Sequence, residues 1–159
     1  MTFAIRPAVA EDAPSIHRLI VELATYERAP ESVTSTVADI AAALFGAKPA
    51  AYCHVAEADR EVVGIAVWFL NFSTWTGRHG IYLEDLYVTP DRRGSGIGKA
   101  LLRTLATTCV ERGYTRLEWA VLDWNTPSIE FYKSLGAVSM DEWDIFRLDG
   151  DALTGFDSC

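Results

Sequence analysis

The segment Arg92-Arg93-Gly94-Ser95-Gly96-Ile97-Gly98-Lys99 lies directly after an apolar, strand-like run and directly before a helical one. The first turn of a helix leaves backbone N–H groups unpaired and carries positive partial charge, and glycines let an anion approach the backbone, so this loop is a candidate phosphate site. Two rival motifs fail. A magnesium-nucleotide loop requires G-x-x-x-x-G-K-[ST], but Arg93 stands at its first glycine position and Ala100 at its hydroxyl position. A dinucleotide fingerprint requires G-x-G-x-x-G, and Gly94, Gly96 and Gly98 are too closely spaced for it. What remains is R-x-x-G-x-G over Arg93 to Gly98.

The elements that would hold this loop are legible from periodicity. Phe3 and Ile5 alternate before Pro7 as a short strand, and Ile16, Leu19, Ile20 and Leu23 form a helical stripe that Asp12 could cap, ending near Pro30. A second helix is expected from Thr34 to Phe45. Ala51–Ala58, Val62–Leu70 and Ile81–Val88 are rich in β-branched and aromatic residues and read as an antiparallel series. Helical spacing returns over 97–112, with Leu101, Leu102, Leu105 and Val110 inward and Gly113 as the stop. A strand over 117–122, a short helix opening at Thr126-Pro127, and a final strand over 137–148 complete one expected domain, 1–159. The order predicts an α/β fold with a mixed sheet.

Three runs of this chain resemble the GNAT N-acetyltransferases. They are the glycine loop, the strand Ile81-Tyr82-Leu83-Glu84-Asp85-Leu86-Tyr87-Val88 with Pro90 after it, and Asp123-Trp124-Asn125-Thr126-Pro127-Ser128 leading to Phe131-Tyr132. With Leu23-Ala24-Thr25-Tyr26-Glu27, they resemble the diamine (spermidine/spermine) and thialysine branch. The resemblance implies a mostly antiparallel GNAT sheet with a splayed strand pair, and acetyl-CoA as cofactor. The resemblance places the cofactor on Leu86, Tyr87, Val88, Arg93, Gly94, Ser95, Gly96, Ile97, Gly98, Lys99, Asn125, Ser128 and Tyr132. A small cationic acceptor is expected against Tyr26, Glu27, Glu84, Glu118 and Trp119, and a homodimer is expected as well.

Acetylation of an amine needs a neutral nitrogen, and a lysine-like amine of pKa about 10.4 is neutral in only about one molecule in 2,500 at pH 7, a deficit of roughly 4.6 kcal/mol. Glu84 is the candidate proton acceptor, four residues before Val88, while strict alternation would send Asp85 to the opposite face. By resemblance, the Val88 N–H, at a bulge, faces the developing oxyanion, and Tyr132 protonates the leaving thiolate. Arg92 and Lys133 are further candidate phosphate partners. Arg78 is a candidate partner for an acceptor's carboxylate.

Composition narrows the alternatives. The 159 residues carry 22 acidic against 14 basic side chains, a net charge of −8, which disfavours nucleic acid and anionic membranes and favours a cationic small molecule. Cys53, Cys109 and Cys159, like His17, His54 and His79, show no metal-ligand spacing, so no metal is expected and a reduced, cytoplasmic setting is. No run approaches the ~18 apolar residues of a membrane span. A protein-amine acetyltransferase and a non-catalytic acyl-CoA sensor remain as other readings.

Overall fold

The computed structural model describes residues 2–157. It divides into two compact units, Met1–Leu122 and Asp123–Cys159. The first holds a five-stranded sheet in the order β1 (Ala4–Pro7), β2 (Tyr52–Ala58), β3 (Glu61–Ser73), β4 (Arg78–Val88) and β5 (Leu117–Trp119). All neighbours are antiparallel except β4 and β5, which run parallel. The fold class is therefore mixed α/β with a mostly antiparallel sheet.

Helices α1 (Ala13–Tyr26) and α2 (Val37–Phe45) supply one side of the core, where Ile16, Leu19 and Leu44 meet Cys53, Val55, Ile65 and Tyr87. Thr36 caps α2 by accepting from the Asp39 N–H, while Asp39 accepts from the Thr36 N–H, so the helix starts three residues later than its apolar pattern suggests. Asp12 does not cap α1. Its carboxylate accepts from the Val9 N–H and pairs with Arg6, which also reaches Glu57 at 2.8 Å and so ties β1 to β2. That pairing holds Asp12 below the usual carboxylate range.

Helix α3 (Ile97–Arg112) lies on the opposite face with Ile97, Leu101, Leu102, Leu105 and Cys109 buried. Val110, expected inward, is 81% exposed, because Cys109 takes the inward position on the last turn. Gly64 lets α3 come close: a Cβ there would lie 3.1 Å from Ile97 Cγ2.

The second unit holds α4 (Thr126–Ser134) and α5 (Gly150–Asp157). Asn125, rather than Thr126, caps α4, its Oδ1 accepting from the Ser128 N–H. The strand expected over 137–148 is not formed: this stretch has no regular ladder, and Val138, Trp143, Ile145 and Phe146 are all exposed. Likewise β5 stops at Trp119 rather than Leu122. A strand needs a hydrogen-bonded neighbour as well as β-branched residues, and the pattern of the residues does not provide one. Cys159 lies outside the described residues.

Gly80 marks the tightest approach within the sheet. A Cβ there would fall 2.6 Å from Asn71 Oδ1, 2.7 Å from Arg116 Cγ and 2.8 Å from the Arg116 backbone oxygen. The backbone atom cannot swing aside, so Gly80→Ala is expected to destabilise the fold by about 1–3 kcal/mol. A thermal unfolding midpoint unchanged by the substitution would contradict this packing.

Candidate active site

Strand β4 changes character at Glu84. Val67 of β3 stands opposite Asp85, while its neighbour Trp68 stands opposite Leu83, leaving Glu84 as an extra, unpaired residue. This is a β-bulge, and it resets the parity of the strand. The amide of Ile81 donates to Arg116 O toward β5, whereas that of Thr89, also odd-numbered, donates to Val63 O toward β3. Counting back from Thr89, the amides of Val88 and Leu86 point away from β3. On that side β5 pairs only with Ile81–Leu83, so β4 runs on unaccompanied from Glu84 to Val88. The splay begins at Glu84, four residues before the position expected for a bulge.

Beyond this edge the chain enters the glycine loop. Gly94 and Gly96 take φ values of 76° and 88°, and no atom lies within 4 Å of a Cβ built on either. The α3 start has no side-chain cap, so its first N–H groups face outward as an anion cradle. Ser95 Oγ donates to Arg92 O and steadies the turn. Lys99 is exposed on the first turn, and a Cβ built on Gly98 would lie 3.9 Å from Val88 Cγ2. These features fit a pyrophosphate group.

The two loop arginines are otherwise engaged. Arg92 pairs with Asp59 at 2.9 Å and Asp91 at 3.3 Å. Arg93 donates from Nε to Val88 O, and its guanidinium lies 5.1 Å from the Tyr26 ring centre and 5.3 Å from that of Tyr87. Tyr87 is thus a core ring under a cation, and alternation puts Leu86 on the other face.

The structure brings Glu27, Glu84 and Asp85 into one electrostatic neighbourhood. Glu27 is the residue closing α1, and burial raises its pKa. Asp85 is pushed up to about 6, first by burial and then by the charges of Glu84 and Glu27. Glu84 itself is exposed. The bulge breaks the alternation that would have separated Glu84 from Asp85, and nothing in the residue pattern announces an extra residue. Tyr82 also shares this field, its phenol raised by burial and by Glu84 and Glu118.

Glu118 and Trp119 occupy successive positions on β5 and face opposite sides; Glu118 shares the face of Tyr82, its ladder partner. Its Oε1 accepts from Asn71 Nδ2 at 2.9 Å and pairs with Arg116 Nε at 2.8 Å. Arg78 stands opposite Ser73 at the hairpin end of β4, six residues or ~20 Å of strand from Glu84. In the second unit, Asn125 is buried at the start of α4, and Tyr132 is half-buried near the helix end with its ring 5.5 Å from that of Phe131. Lys133 is exposed.

Because Asp85 binds its proton more tightly when folded than at its ordinary value of 3.8, its contribution to stability is full below about pH 4 and is lost as pH rises through about 6. Asp85→Asn removes that loss. The variant is expected to exceed the parent chain in stability at pH 8 by on the order of 2–3 kcal/mol, with the difference vanishing near pH 4. Urea unfolding of both proteins across this range checks it, and a difference independent of pH would refute the assignment.

The Acetyltransferase (GNAT) family pattern matches residues 14–137. The chain is 41% identical over 160 residues to a thialysine N-epsilon-acetyltransferase of Bos taurus, covering 94% of each. It is 35% identical to the spermidine/spermine N(1)-acetyltransferase-like protein 1 of Homo sapiens, over 95% of this chain and 23% of that longer one. An integron cassette protein from the mobile metagenome of V. cholerae superposes with a TM-score of 0.84 at 25% identity, over 100% of this chain and 99% of that one. With the bulged strand, the glycine loop and these relatives together, the chain belongs to the acetyltransferase (GNAT) family and is an acetyl-transferring enzyme.

Proposed function

We propose that this enzyme moves the acetyl group of acetyl-CoA to a terminal primary amine of a small cationic acceptor, a polyamine or thialysine-like diamine, by direct attack in a ternary complex. The observation that carries the reading is the bulge at Glu84. It brings two adjacent carboxylates under one field on β4 and turns the Val88 amide to the open edge beside the glycine loop. The relatives named for thialysine and spermidine/spermine support the acceptor class.

In this mechanism the uncapped start of α3 and the backbone of Gly94 to Gly98 hold the pyrophosphate of the coenzyme, with Lys99 nearby. Bound acetyl-CoA supplies an activated acyl carbon and a thiolate leaving group. Glu84, with Asp85 behind it, accepts the ammonium proton of the acceptor, directly or through water. Asp85, pushed up to about 6 by burial and by the charges of Glu84 and Glu27, can itself hold a proton near neutral pH beside that acceptor. The Val88 N–H donates to the acetyl carbonyl oxygen, a contribution worth about 2.7–4 kcal/mol in acyl transfer. Tyr132 Oη is the proton donor that the family resemblance assigns to the leaving thiolate.

The same reading makes the protein a cytoplasmic homodimer. Cys53 and Cys109 are free thiols, and among the described residues no helix is long and apolar enough to cross a membrane. The exposed apolar side chains of 138–148 offer surface for a partner copy to cover.

Steady-state acetylation of spermidine, putrescine, thialysine, lysine and a lysine peptide tests the proposal. Free diamines or diamino acids are expected to be the preferred acceptors, and Tyr132→Phe and Glu84→Gln to lose about 100-fold or more in kcat. Preference for the peptide, or tight acetyl-CoA binding with no turnover of any amine, would overturn it.

A further inference from the structure

The sheet face that carries Glu84 continues toward the hairpin end through Tyr82 to a polar group built from three strands. Glu118 of β5 stands beside Tyr82, and Arg116, two residues earlier, shares its face. Arg116 is fixed at both ends. Its carbonyl accepts from the Ile81 N–H, and its stem crosses β4 at the one position, Gly80, that has no side chain to obstruct it.

The bonds made here leave complementary groups unspent. Arg116 engages only Nε, so its two terminal nitrogens keep a free fork of N–H donors among the described residues. Glu118 uses only Oε1, for both Arg116 and Asn71, leaving Oε2 without a partner among the described residues. Both side chains are open to solvent, at 40% and 37% exposure. Beneath them the buried Asn71 Oδ1 has no donor among the described residues. A cationic fork and a carboxylate oxygen held side by side match the two ends of an α-amino-acid head group, carboxylate to guanidinium and ammonium to carboxylate.

We propose that Arg116 and Glu118 form a clamp for the α-amino and α-carboxylate groups of an α,ω-diamino acid, whose distal amine extends past Tyr82 to Glu84. This rests on the acetyl-transfer reading above and chooses an acceptor within it. The spacing fits: Glu84 lies two residues beyond Tyr82, about 6.6 Å along the strand. An extended chain of four or five bonds between the α-carbon and the distal nitrogen spans roughly 5–6 Å. Charge favours the same class. The Glu118 carboxylate is already balanced by Arg116, so the far ammonium of a polyamine meets no net negative charge at this end, while a zwitterionic head group meets both signs.

The test compares each amino acid with its decarboxylated twin: L-lysine with cadaverine, and L-ornithine with putrescine. The parent enzyme is expected to favour the amino acids by about 10-fold or more in kcat/KM. Arg116→Gln is expected to lower kcat/KM for L-lysine by about 10- to 100-fold through KM, with cadaverine changed less than about 3-fold, and Arg116→Lys to recover part of the loss. Thermal midpoints and acetyl-CoA affinity, measured on each variant, separate this from a loss of the packing over Gly80. A parent enzyme that prefers the diamines, or an Arg116→Gln that impairs twin substrates equally, overturns the clamp. If no amine is turned over, the acetyl-transfer reading falls instead, and calorimetric binding of L-lysine against cadaverine still decides the clamp: equal affinities overturn it.

Discussion

A single extra residue in β4 governs the geometry of this enzyme. Before Glu84 the odd-numbered amides of β4 point to β5, and after it they point to β3. Without the bulge the amides of Tyr87 and Thr89, rather than those of Leu86 and Val88, would face the open edge. The bulge also interrupts the alternation of side chains beside Asp85, whose proton affinity is raised by burial and by the charge of Glu84. A regular strand would have put one of them on the α3 side, among Ile81, Leu83 and the buried residues of that helix. One insertion therefore sets where charge can be accepted and where a hydrogen bond can be given.

The glycine loop and the end of α1 are coupled through Arg93. Its guanidinium lies against Tyr26 and Tyr87 and its Nε is held by Val88 O, so the residue opening R-x-x-G-x-G acts as a strut between β4 and α1. Cation–π contacts of this type are worth about 0.5–2 kcal/mol each depending on exposure. Glu27 follows Tyr26 directly, so the acidic residue closing α1 is positioned by the same strut. The uncapped backbone N–H groups at the start of α3 have no such competitor, whereas Arg92 is already paired with Asp59.

Charge is distributed unevenly over the α1 side of the sheet. Near the bulge lie Glu27, Glu84 and Asp85, where burial raises Glu27 and burial with the charges of Glu84 and Glu27 raises Asp85. Elsewhere carboxylates are neutralised locally: Asp12 and Glu57 by Arg6, and Glu118 by Arg116. An unbalanced cluster is costly to fold and useful for attracting a cation and removing its proton. The balanced pairs hold strands together, and the one on β5 keeps free donors and a free acceptor for a ligand of mixed charge.

The sequence by itself determined the local and the chemical parts. The R-x-x-G-x-G spacing before a helical stripe located the glycine loop at the start of α3, apolar periods located α1, α3 and β2 to β4 within a few residues, and the order of three motifs pointed to the family. These are properties of short stretches, set by φ preferences and by side-chain period. The tertiary structure decided what depends on a neighbour. The bulge at Glu84 exists only relative to β3; the roles of Arg93 and Arg116 depend on which rings and carboxylates lie across from them; and 137–148, with the composition of a strand, forms none because no ladder partner accompanies it. Strand pairing and ion pairing join residues far apart in the chain, so their outcome is settled by packing rather than by the order of the amino acids around each one.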